Sequence, residues 1–240
     1  VMLSFKTRVD ALAIPPTWFF APTLANYRAA FIDGQYAGAL ANSLIIAVAS
    51  SALAMTVGLP AAYALSRAQF KGRSSAFLGL MTVRMAPATV VALPLFVILT
   101  QLGLVDSYVG VVLVHAGVAV PIAVWLMKGV LDEIPVEVDE ASLLDGDTRI
   151  SALVRQVVPA CTRGLLTAAA FCFVNSWNEF FLALMLTGYD TRPLTVAIPA
   201  LVTPHGTYWG EVTAISTVAL MPGVVLALAI YMTFVRDTVT

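Results

Sequence analysis

Residues 40–65 contain no charged side chain, and crossing a hydrocarbon core of roughly 30 Å takes about 20 helical residues. Four further apolar runs follow, at residues 76–102, 109–127, 165–186 and 212–235. In lipid every backbone N–H and C=O needs a partner within the protein, so runs of this length have to be helices. The fold class read from this is all-α, a polytopic transmembrane helical bundle with five visible spans. Pro87 and Pro94 in the second run and Pro121 in the third each remove a backbone donor, which predicts kinked helices. Composition agrees, with 60% hydrophobic and 11% charged residues where a soluble domain carries about 25% charged. A net charge of −1 without a basic run excludes nucleic acid and leaves the lipid bilayer as the surroundings.

The basic residues orient the bundle. Arg67, Lys71 and Arg73 follow the first run, and Lys128, Arg149, Arg155 and Arg163 surround the interval after the third. The connection at residues 103–108 has neither Lys nor Arg. Short connections rich in Lys and Arg stay in the cytoplasm, so the first and third face inward, while residues 1–39 and 188–210 face outward. Residues 1–240 read as one transmembrane domain. Its opening stretch reads as an ordered external segment, with Trp18, Phe19, Phe20 and Tyr27 either at headgroup level or packed in a small cap. Residues 1–5 read as the last turn of a span that precedes them. Cys161 and Cys172 fit no metal-ligand spacing and read as free thiols.

Residues 132–159, DEIPVEVDEASLLDGDTRISALVRQVVP, are the one long polar interval between apolar runs in the second half. Asp145-Gly146 signals a helix end there, because Gly accepts the left-handed backbone without steric penalty. Asp147 or Thr148 can cap a second helix, in which Ile150, Leu153, Val154 and Val157 share a face until Pro159 stops it. A helix, a tight turn and a second helix make an exposed knuckle suited to a groove on a soluble partner. The plainer alternative is an ordinary amphipathic loop.

The interval also carries a family resemblance. Glu140-Ala141-Ser142, then Asp145-Gly146, then Pro159 thirteen residues beyond the glycine, resembles the EAA loop of ABC-transporter permease subunits. Ser142 stands where that family usually has a second Ala, Gln156 where it has an aliphatic residue and Val158 where it has Leu. SWNEFFLALMLT, RMAPATVVALPLF, LGLVDSYVGVVLVHAGVAVPIAVWLMKG and the W-G-E at Trp209 resemble the carbohydrate-type branch. The resemblance implies the MetI-like permease fold, with a first span ahead of the five seen here, in the cytoplasmic (inner) membrane of a bacterium or archaeon. It further implies ABC ATP-binding subunits coupled through Glu140, Ala141, Ser142, Asp145, Gly146 and Pro159, a second permease subunit and an extracytoplasmic solute-binding protein. ATP and Mg would then be bound by the partner ATPase subunit, and this chain would hold no cofactor.

Few residues inside the runs carry chemistry. Arg84 and Glu179 lie at similar depths along their helices, and an unpaired charge in lipid costs on the order of 3 kcal/mol. Both should face the bundle interior or an aqueous cavity, either as translocation-path residues or as a static pair that fixes helix register. Asn175, Trp177 and Asn178 beside Glu179 add amides and an indole plane, a mixture that suits hydroxyl-rich ligands. His115, alone on its span, reads as a hydrogen-bonded packing residue. The sequence holds no G-x-x-x-x-G-K-[ST], no Ser, His and acid arrangement and no metal-ligand cluster. The chain therefore reads as a transport subunit rather than an enzyme, a permease of an ATP-driven importer for a sugar, polyol or similar hydroxylated solute. The alternatives are an ion-gradient-driven secondary transporter with Glu179 and His115 as proton sites, an ABC permease for a non-carbohydrate solute, and a structural scaffold.

Overall fold

A computed structural model describes residues 1–34, 36–203 and 206–235. After a 3-10 turn at Met2–Phe5 the helices are, in chain order, α1 (Arg8–Leu12), α2 (Ala25–Phe31), α3 (Tyr36–Arg67), α4 (Arg73–Val83), α5 (Ala88–Gln101), α6 (Tyr108–Asp132), α7 (Glu137–Leu144) and α8 (Arg149–Ala152). They continue as α9 (Val158–Ala160), α10 (Thr162–Trp177), α11 (Phe181–Leu186), α12 (Leu194–Ala197) and α13 (Trp209–Val235). The only strands among the described residues are β1 (Val202–Thr203) and β2 (Gly206–Thr207), a short antiparallel pair ahead of α13. Three helices, α3, α6 and the Trp209–Met232 part of α13, are each long and apolar enough to cross a membrane. Two helix pairs bent by 89° and 90° raise the number of crossings to five at most.

The second apolar run is broken rather than kinked. α4 and α5 meet at 89°, with Pro87 at the start of α5 in an extended conformation (ψ 134°). Proline disfavours the helical region for the residue before it, which ends the first helix. Pro60, Pro94, Pro121 and Pro222 all sit inside unbroken helices, so proline alone does not decide a break. The run at 165–186 is interrupted as well, by its own polar residues. The Asn178 side chain donates to the Val174 carbonyl at 3.0 Å as α10 ends, and Glu179 Oε1 accepts the Leu182 N–H at 2.7 Å as α11 begins. The Val174 carbonyl keeps its helical bond from the Asn178 N–H as well, whereas at Leu182 the Glu179 side chain takes the place of the helical partner.

α3, α6 and α10 form the core of the bundle. They meet through small residues, Ala54, Ala116, Ala119, Ala123 and Cys172, which let helices approach closely where no hydrophobic force favours their association. The tightest point is Gly58, where an added Cβ would lie 2.6 Å from the Ala123 Cβ. Ser50 and Ser51 return their hydroxyls to the Ile46 and Ala47 carbonyls at 2.6 and 2.7 Å, so their polar atoms cross the apolar region with partners. At the end bearing Arg67 and Lys128, a second cluster including Met127, Leu131, Leu153 and Val157 seats the knuckle on this core.

The opening segment divides the two readings of its aromatics. Tyr27 bonds Ser4 at 2.8 Å and packs against Phe5 at 5.3 Å, and the Lys6 ammonium lies 5.0 Å from the Phe20 ring centroid. Trp18 and Phe19 stay exposed.

Candidate functional site: a docking knuckle and a polar cleft

The knuckle turns at Gly146, whose φ of +93° strains any other L-residue by about 1–2 kcal/mol. No atom lies within 4 Å of where a Cβ would sit, so the turn faces open space. Asp147 braces it: one carboxylate oxygen accepts the Ser151 hydroxyl at 2.5 Å and the other the Ser142 hydroxyl at 2.8 Å. These bonds hold the Asp147 carboxyl below its ordinary range. Ser142 is buried, so the serine that replaces the family's usual alanine ties the two halves of the turn together. Of the two candidate caps for α8 the structure uses Thr148, whose hydroxyl accepts the Ser151 N–H at 3.2 Å.

Past α8 the helix widens into a π turn at Leu153–Val157, with the Val158 N–H bonded to the Leu153 carbonyl. Pro159 does not stop the helix, which runs to Ala160 and then bends by 90° into α10. Proline has no N–H to return and crowds the carbonyl four residues back, and a wider turn just before it relieves both problems. The expected apolar face is split in two. Leu153 and Val157 are buried, whereas Ile150 is 76% and Val154 59% exposed. Glu140, Ala141, Asp145 and Pro159 are exposed too. Leu144, 89% exposed, adds a large apolar side chain that sequence reading passed over.

Beneath the knuckle lies a second feature that the sequence did not reveal. Asp139, buried on α7, accepts Arg67 Nε at 2.7 Å on one oxygen and the Tyr63 hydroxyl at 2.6 Å on the other. Arg67 also donates to the Ile134 carbonyl at 2.9 Å, and both charged side chains are only 6% exposed. The available signal was Tyr63 and Arg67 four residues apart at the end of a span, hence on one helix face.

Arg84, Asn175, Asn178 and Glu179 line one cleft of about 440 Å³, together with apolar residues of α6, α10 and α11. Arg84 donates to the Val118 carbonyl at 3.2 Å, while Glu179 caps α11. The two share a space but form no ion pair. Trp177 does not belong to this group. Its indole N–H donates to the Ala219 carbonyl of α13 at 3.0 Å and its ring stacks on Phe173 at 5.6 Å, because it points from the opposite side of α10. His115 bonds Ser176 through Nδ1 at 2.8 Å. Its Nε2 is the one buried side-chain polar atom without a partner among the described residues.

At the opposite end from the knuckle, Asp106 fastens the loop before α12 to the turn before α6. One oxygen accepts the Gly188 and Thr191 N–H groups at 2.8 and 3.1 Å and the Thr191 hydroxyl at 2.7 Å. The other faces the Asp190 N–H at 3.3 Å. Burial pushes this carboxyl up, but the bonds from the Thr191 hydroxyl and the loop amides outweigh it and bring it down to about 2. A folded-state value depressed from 3.8 means stability present above that pH and lost as pH falls toward about 2. Amide protection at Gly188 and Thr191 is expected to decline across that window in the wild type and to be low and flat in Asp106→Asn. Matching profiles in the two proteins would remove the carboxylate from loop closure.

Interrupted spans, a core of three close helices and an exposed knuckle set at a right angle to α10 are the parts of a membrane transport component. Residues 54–239 match the family model of the binding-protein-dependent transport system inner membrane component, and the chain belongs to that family. It is a multi-pass permease subunit of the inner membrane. It is 35% identical to the sulfoquinovosyl glycerol transport system permease protein SmoH of Agrobacterium fabrum, over 93% of this chain and 79% of that one. It is 32% identical to the inner membrane ABC transporter permease protein YcjP of Escherichia coli, over 100% and 87% of the two chains. With the trehalose/maltose transport system permease protein MalG of Thermococcus litoralis it shares 30% over 92% and 83%. The fold also matches a chain from the crystal structure of a bacterial ABC transporter involved in the import of the acidic polysaccharide alginate. The TM-score is 0.80 and the identity 20%, over 97% of this chain and 87% of that one. The family assignment displaces the ion-gradient and scaffold alternatives.

Proposed function

We propose that the chain is one permease subunit of an ATP-driven importer for a sugar, polyol or similar hydroxylated solute. ABC ATP-binding subunits dock on the knuckle and hold the ATP and Mg. A second permease subunit completes the pathway, and an extracytoplasmic binding protein delivers the solute. The observation that carries this reading is the knuckle, exposed at its turn and pinned beneath by the buried Arg67–Asp139 pair. A soluble subunit can push such a lever without unfolding it. Closure of the ATPase subunits would then rock the spans between inward-open and outward-open states. The solute class rests on the amides, guanidinium and carboxylate of the cleft, and on the hydroxyl-rich solutes in the names of the SmoH and MalG relatives.

The test is uptake into proteoliposomes holding the chain and its candidate partner subunits, with labelled trehalose, glycerol, an acidic sugar and an amino acid as solutes. ATP-dependent uptake of the hydroxylated solutes is expected. Uptake driven by a proton gradient without ATPase activity, or of the amino acid alone, would overturn the reading. Arg84→Gln and Glu179→Gln are each expected to lower uptake by about tenfold in assembled complexes, the effect of roughly 1.4 kcal/mol on the rate-limiting barrier. Unchanged uptake in both would remove the cleft from the pathway.

A further inference from the structure

Polar groups hold α3 at both ends, and each hold reaches a different part of the molecule. At one end Tyr63 and Arg67 grip Asp139 of the docking helix α7. At the other, Asn42 Nδ2 donates to the Asp190 and Arg192 carbonyls, both at 3.0 Å, while its Oδ1 accepts the Tyr108 hydroxyl at 2.7 Å. Ser43 Oγ accepts the Leu194 N–H at 2.8 Å. Both holds lie on one unbroken helix of 32 residues, and the stretch between them is roughly 30 Å long.

We propose that α3 is a rod that carries movement between the outer loop at residues 188–194 and the docking helix α7, with the Tyr63–Arg67–Asp139 cluster as its inner clamp and Asn42–Ser43 as its outer one. The inference rests on the importer reading above and adds the route by which events outside reach the ATPase subunits. Apolar contacts are non-directional and let surfaces slide. Buried hydrogen bonds to both oxygens of a carboxylate do not, because Asp139 cannot shift without stranding its own charge and that of Arg67. α7 is therefore compelled to follow α3. The outer clamp binds loop carbonyls on either side of Thr191, whose amide and hydroxyl Asp106 already holds, so the loop moves as a piece.

The experiment uses the assembled complex in proteoliposomes and reads basal ATPase, ATPase stimulated by solute-loaded binding protein, and uptake. The variants are Tyr63→Phe, Arg67→Lys and Asp139→Asn at the inner clamp and Asn42→Ala at the outer. Tyr63→Phe, Arg67→Lys and Asn42→Ala are expected to keep assembly and basal ATPase while stimulation and uptake fall by about tenfold. Asp139→Asn, which strands the Arg67 charge, should show the same split in the complexes that assemble. The paired variant Arg67→Met with Asp139→Leu restores packing without directed bonds and should remain uncoupled. The exchange Arg67→Asp with Asp139→Arg should recover part of the stimulation. Full stimulation in assembled single variants would overturn the proposal, and so would equal loss of basal and stimulated activity, the mark of a merely structural role. Should the charge variants fail to assemble, Tyr63→Phe decides, since it removes one hydroxyl. A wild-type complex without ATP-dependent uptake would instead sink the importer reading itself.

Discussion

Gly146→Asp is expected to abolish coupled uptake while the chain still inserts and folds. The left-handed backbone at φ +93° costs an L-residue about 1–2 kcal/mol, a local strain with no neighbouring atom to collide with. The larger effect is electrostatic. A third carboxylate beside Asp145 and Asp147 would have to be desolvated and left unpaired in the docked state, at a further cost of several kcal/mol. The desolvation lowers the affinity for an ATPase subunit by about a hundredfold or more. Gly146→Ala separates the two causes, because Ala keeps the backbone strain and carries no charge. It should retain most binding. The measurement is ATPase-subunit binding to the reconstituted chain alongside uptake, and unchanged affinity in a folded Asp variant would take the turn out of the docking surface.

Asp139→Ala is expected to cause the largest loss of stability of any single substitution in the knuckle, about 3–5 kcal/mol. It leaves the Arg67 guanidinium, 6% exposed, without its counter-charge, and the Tyr63 hydroxyl without its acceptor. Adding Arg67→Ala removes the stranded charge, so the double variant should lose less than the sum of the singles. Thermal unfolding in detergent reads both. Breaking the Arg155–Asp147 pair is a useful contrast. Arg155 is 73% exposed, and replacing it should change stability by less than about 1 kcal/mol. Similar losses at the two sites would mean that burial does not set the strength of the inner pair.

Features settled by a few adjacent residues were legible in advance. The charge-free run of α3 and the Gly146 turn each follow from local chemistry, which narrowed the α8 cap only to Asp147 or Thr148. The break at Asn178–Phe180 was hidden by hydropathy, which stays high across residues 165–186 although Glu179 is placed to cap Leu182. Trp177 was misgrouped for a geometric reason. At about 100° per residue it stands roughly 200° from Asn175 on the helix, whereas Asn178 is within about 60° of it. The pairing of Arg67 with Asp139 spans 72 positions, and one sequence offers nothing to distinguish Asp139 from its exposed neighbour Glu140.

The π turn at Leu153–Val157 makes the outward face of the knuckle depend on residue spacing as much as on residue type. Deleting one position there would let an ordinary α turn form with α8 facing almost as before, because the five residues of the π turn sweep about the same angle as four of an α-helix. Removing a second would swivel α8 by about 100° relative to α10. Ile150 would then rotate toward the lipid-embedded bundle, and a formerly sheltered aliphatic group would come outside. Across homologous chains this stretch should accept many exchanges of side chain and a single-residue gap but few longer ones, since evolution can rewrite its letters more freely than its length.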